Sequence, residues 1–119
     1  MNMTKKITNY RRGATKEYEW MKTLKELYNE KGLVFNKDYI VQRSAGSHSP
    51  FDVVLWNFKD AEIHAYQIKY FENEKKVKQE RNSEEFKEFL KFEPIISLWK
   101  HYVVFVKGSK EPIFLWSEN

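Results

Sequence analysis

Apolar residues along the chain follow two periods. Trp20, Met21, Leu24, Leu27 and Tyr28 recur at the spacing of one helical face and predict a helix over Thr15 to Lys31, closed by Gly32 as a left-handed cap. Tyr39 to Arg43 is rich in strand formers, SAGSHSP is a loop by composition, and Phe51 to Trp56 reads as a second strand. A turn at Asn57 to Asp60 leads to a third strand, Glu62 to Phe71, expected to pair with the second as a hairpin. The charged segment Glu72 to Arg81 then interrupts the pattern. Asn82, with Glu85 three residues on, predicts a capping box that opens a helix with Phe86, Phe89 and Leu90 inward, ending before Pro94. Ile95 to Trp99 is ambiguous. Tyr102 to Val106 and Ile113 to Trp116 read as two last strands around a turn at Gly108. The expectation is an α/β fold, a single domain with a central mixed five-stranded sheet flanked by helices.

Three polar residues break the apolar rows. Gln67 and Lys69 share a strand face with Ile63 and Ala65, so a polar pair ends an apolar row; Asp52 shares its face with Val54 and Trp56. A tight hairpin brings Asp52 beside Gln67. Burying a carboxylate, an amide and an amine together is unfavourable unless they are paired or bind an ion, so the group reads as functional. Phosphodiester hydrolysis needs a hard cation on oxygen ligands and a group that orients the attacking water. Asp52 suits the first task and Lys69 the second. Glu17 falls on the helical face of Trp20, Met21, Leu24 and Tyr28, which makes it either a fourth member or a carboxylate favouring the helix N-terminus.

Composition narrows the chemistry. The 119 residues suffice for one domain with its own core, and the absence of cysteine excludes disulfides, thiolate metal sites and a cysteine nucleophile, which fits a cytoplasmic location. No apolar run reaches membrane-spanning length and the start lacks a signal peptide's apolar core, so the encoded and mature chains are expected to coincide, with no membrane partner. Lys and Arg number 21 against 17 Asp and Glu, a balance that favours a polyanionic partner.

The segments YRRGATKEYEWMKTLKE, RSAGS, PFDVV and YQIKY, in this order and spacing, resemble the archaeal Holliday junction resolvases, nucleases of the PD-(D/E)XK superfamily. The likeness spans Tyr10 to Tyr70. It implies a restriction-endonuclease-like fold over residues 13–119 behind a basic arm, residues 1–12. It also implies a divalent-metal site, Mg2+ with Mn2+ as substitute, held by Glu17, Asp52 and Gln67, with Lys69 assisting the nucleophilic water. The implied activity is that of an endonuclease of DNA recombination and repair, a homodimer that makes paired nicks in a four-way junction, with Ser44 and Ser47 of the serine-glycine loop touching the scissile phosphate or neighbouring backbone; Arg43, just before that loop, is a further expected DNA contact. Gln67 departs from the pattern, which most often has glutamate there. The alternatives are therefore a related nuclease acting on flaps, forks or foreign duplex, or a junction-binding protein of weak or no activity.

Lys75, Lys76, Lys78 and Arg81 follow the site strand as a basic loop able to hold flanking phosphates, or as a solvated charged segment. Lys5, Lys6, Arg11 and Arg12 form either an arm tracking the DNA backbone or a solubilising tail; Arg11 and Arg12, nearest Glu17, are the expected contacts. His48 reads as a loop residue, and His64 and His101 as structural strand residues without metal-ligand spacing. Phe86, Phe89, Phe92, Ile95, Ile96, Leu98 and Trp99 exceed one side of a short helix and serve the core, a dimer surface, or both.

Overall fold

The stripe through Trp20, Leu24 and Tyr28 belongs to a helix longer than its apolar part, α1 (Asn9–Glu30). The computed structural model describes residues 9–44, 51–93 and 97–118, with residues 9–14 described by their backbone alone. Gly13, read as the boundary of a basic arm, lies inside the helix, where one glycine is tolerated at a cost of about 1 kcal/mol. Residues 9–12 are therefore helical. Leu27, expected inward, remains 46% exposed, because contact with the sheet runs through Trp20, Leu24 and Tyr28 at four-residue steps. Gly32, at φ +86°, turns the chain so that the Leu33 N–H returns to the Tyr28 carbonyl at 3.2 Å.

Five strands follow: β1 (Tyr39–Arg43), β2 (Val53–Asn57), β3 (Glu62–Phe71), β4 (Trp99–Val106) and β5 (Ile113–Ser117). They form one mixed sheet in sequence order, parallel at β3–β4 and antiparallel elsewhere. A parallel neighbour requires a crossover, and α2 (Glu74–Glu80) and α3 (Glu84–Lys91) lie on it. The segment read as a charged interruption is thus largely a helix, capped by the Asn73 side chain and holding one buried residue, Val77. The expected capping box is displaced by one residue: Ser83, not Asn82, caps α3 and accepts from Phe86 N at 3.1 Å. Phe86 and Phe89 point inward as expected, whereas Leu90 is 37% exposed.

Strand alternation divides the core in two. Trp20, Leu24 and Tyr28 pack with Val53, Leu55, Tyr66, Ile68, Val103 and Phe105 on one face of the sheet. On the other, Phe51, Ala65, Val77, Phe86, Phe89, Tyr102 and Val104 form a second cluster. The result is one α/β domain in three layers, α1 against α2 and α3 across the sheet. Buried Lys100 closes the end of α3, its ammonium donating to the carbonyls of Phe89, Leu90 and Phe92 at 2.8, 2.8 and 3.0 Å. Among the described residues no helix is long and apolar enough to cross a membrane.

Candidate functional site

The β2–β3 hairpin is built by Asn57. Its side-chain oxygen accepts from the N–H groups of Lys59 and Asp60, each at 3.1 Å, and its amide donates to Asp60 at 2.9 Å. This Asx turn sets Asn57 opposite Glu62 and carries the register to Val53 opposite Tyr66. Asp52 falls where β2 stops pairing regularly. Its N–H donates to the Tyr66 carbonyl at 2.8 Å, its carbonyl accepts from Ser44 N at 2.8 Å, and its Oδ2 accepts from Ile68 N at 2.9 Å. The carboxylate therefore takes over a backbone partner on β3 between Gln67 and Lys69.

Glu17 comes from the first half of α1 and Glu85 from the first turn of α3. Glu17, Asp52, Gln67, Lys69 and Glu85 line one cleft of about 840 Å³, together with Tyr70, Phe71, Glu72, Asn73 and Lys76. The four residues singled out from sequence are thus brought together. Two are engaged in ion pairs there: Arg43 Nε donates to Glu17 Oε1 at 2.8 Å, and the Lys69 ammonium bonds the Glu85 carboxylate. Burial raises the Asp52 carboxyl from 3.8 to about 6, with the negative charges of Glu17 and Glu85 adding to the rise; the Ile68 N–H and the Lys69 charge oppose it.

The basic residues divide. Lys76 lines the cleft, while Lys75 and Lys78, on α2 and not on a loop, and Arg81 at its C-cap are exposed outside the lining. Arg43 and Ser44 border a separate hollow of about 470 Å³ with Gln42, Val54 and Trp56. Arg43 still reaches the cleft through Glu17, and its guanidinium lies 5.0 Å from the centre of the Tyr18 ring. Arg11 and Arg12 fall in the opening turns of α1, and Ser47 and His48 lie outside the described residues.

Glu85 is the cleft residue that sequence reasoning missed. Assigning it to a capping box gave it a partner on its own helix, whereas the cap at Ser83 frees it to meet Lys69. His64 and His101 read from sequence as structural strand residues without metal-ligand spacing. Parallel pairing of β3 with β4 joins them in a chain remote from the cleft lining: Glu62 to His64 at 3.2 Å, His64 to His101 at 2.9 Å, and His101 to Ser117 at 2.7 Å. Their ring planes lie 16° apart, and which nitrogen of the pair donates is set by the tautomer of each ring. Burial, then the His64 charge, lowers His101 to about 4.

Among the described residues no three Asp, Glu or His side chains stand in an arrangement that could hold a metal ion. What the cleft offers is oxygen: two carboxylates, Glu17 and Asp52, and the Gln67 amide, with Glu85 across from them. Such donors suit a hard divalent cation in kind, and Asp52, raised mainly by burial, is a carboxylate that a bound cation would favour in its ionised form. No protein-family model, curated protein or solved structure matches the chain.

Proposed function

We propose that the chain is a structure-selective DNA endonuclease of the PD-(D/E)XK type, with the Holliday junction as its substrate. The observation that carries this reading is the meeting of Glu17, Asp52, Gln67 and Lys69, drawn from α1, the residue that leads into β2, and β3, around one cleft. Asp52 and Gln67 end rows that are otherwise apolar, Val54 and Trp56 on one strand and Ile63 and buried Ala65 on the other, and half-buried polar groups there call for partners or an ion.

In this reading Asp52, Gln67 and Glu17 would hold Mg2+, two carboxylates and an amide oxygen that line one cleft. A bound hard cation supplies charge neutralisation at the phosphate and a more acidic water. Asp52 gives the anchoring oxygen, because Ile68 N fixes one side of its carboxylate. Glu17 would offer a further oxygen while paired with Arg43, whose guanidinium is a candidate contact for the DNA backbone. Lys69, beside the same cleft, orients the attacking water and donates to the phosphate. Lys76 and Arg43 hold flanking phosphates, and recognition rests on backbone shape, so binding weakens steeply with salt. Among the described residues one cleft gathers these four side chains, and a four-way junction needs two symmetric cuts, so the working form is a homodimer.

Gln67 favours a second reading. The amide withholds a charge from the cation shell, which suits a protein that binds junctions without cutting them. Incubating the purified protein with labelled four-way junction, flap and linear duplex, each with and without Mg2+, separates the readings. The nuclease reading expects paired nicks in the junction only with metal. Metal-independent binding without nicks in Mg2+ or Mn2+ selects the binding module, cleavage of flap or duplex alone selects a nuclease of other substrate, and the absence of salt-sensitive DNA binding defeats all three.

A further inference from the structure

We infer that Glu85 is the positioning residue for Lys69, gripping its ammonium from α3 so that the amine is held over the cleft; this rests on the nuclease reading. Lys69 projects from β3 on a flexible four-carbon stem, and a freely rotating amine spends little time aimed at one water. Its neighbour two residues away on the same strand face, Gln67, has no charge with which to hold it. Glu85 does hold it, through a direct ion pair.

Two features fit this contact to a positioning role instead of a stabilising one. First, Glu85 stands on a fixed element. Ser83 caps α3, and Phe86 and Phe89 bolt the helix onto Tyr102, with ring centres at 4.9 and 5.0 Å. The carboxylate is therefore placed by buried packing on the opposite side of the cleft from α1, as a supporting group should be. Second, the pair contributes little to the fold. The Glu85 side chain is 54% exposed, and ion pairs so exposed add little stability. The contact joins two residues that line the site and otherwise belong to separate elements.

A positioning residue acts only through its partner, which a double-substitution cycle detects. Glu85→Ala is expected to lower the single-turnover nicking rate on a four-way junction in Mg2+ about 3- to 5-fold, with junction affinity and melting temperature unchanged. Glu85→Gln, which keeps an acceptor oxygen, restores part of the rate. In a Lys69→Met background Glu85→Ala has no further effect. A second readout needs neither metal nor DNA. The full chain is treated with N-hydroxysuccinimidyl acetate, and acylation of each lysine is followed by peptide mass spectrometry. Glu85→Ala is expected to speed labelling of Lys69 several-fold relative to the other lysines.

An unchanged labelling rate overturns the inference, as does an equal loss from Glu85→Ala whether or not Lys69 is present. Wild-type protein that nicks nothing removes the nuclease reading and the positioning role with it. The labelling result still shows whether the grip exists, so the two failures are told apart.

Discussion

At the scale of single residues, Asp52 carries an opposition between stability and chemistry. Its carboxyl is raised from 3.8 to about 6, chiefly by burial, so the folded state resists ionising it. The stabilising contribution is complete below the ordinary value and is lost as pH rises from 3.8 towards 6. At neutral pH the protein carries an ionised Asp52 at a cost of roughly 1–2 kcal/mol, after discounting for partial exposure. Asp52→Asn keeps an oxygen for the Ile68 N–H and removes the charge. Chemical denaturation at pH 7.5 should find this variant more stable than wild type by about that amount, a gain that vanishes near pH 4. A variant less stable at pH 7.5 would show that the carboxylate is instead held by compensating charge.

Elements set what the sequence could disclose. The β2–β3 hairpin was legible because alternation and Asn57 are both local, and Asp52 and Gln67 followed from it, as did the Trp20, Leu24 and Tyr28 stripe. The α2 helix was not, since its seven residues bury only Val77 and leave no period to read. Asn82 and Ser83 are both capping residues, and only the backbone chose between them. Pairings made through the β3–β4 parallel contact were also hidden, because no local pattern joins His64 to His101, 37 residues apart. That chain has its own acid signature. His101 is lowered from 6.5 to about 4, so its contribution is present above 6.5 and lost as pH falls from there. Denaturation measured from pH 7 to 4 should show a fall of up to about 2–3 kcal/mol that a His101→Gln variant lacks; identical slopes would contradict this. Asp52 moves stability the other way over part of this range, so each contribution is read from its own variant. At the end of α3, Lys100→Met strands three carbonyls, and equilibrium unfolding should register a loss of about 2–4 kcal/mol. A loss below 1 kcal/mol would mean water replaces the ammonium.

Over the whole molecule, the two cores hold the sheet between α1 and the α2–α3 pair, and the cleft draws residues from every layer. No layer supplies the site alone, which is why single motifs in the chain said little and their conjunction said more. An excess of four positive charges over the full sequence suits DNA, while the local balance in the cleft is acidic apart from Lys69 and Lys76. A cation is the natural mediator between such a cleft and a phosphate. The claim on which the rest stands is that phosphodiester cleavage takes place there. It is tested most directly by nicking of a synthetic four-way junction in Mg2+, comparing wild type with Asp52→Ala and Lys69→Ala purified side by side and shown to be folded. The account predicts paired nicks from wild type and a fall of about 100-fold or more in each variant; variants that cut as fast as wild type would contradict it.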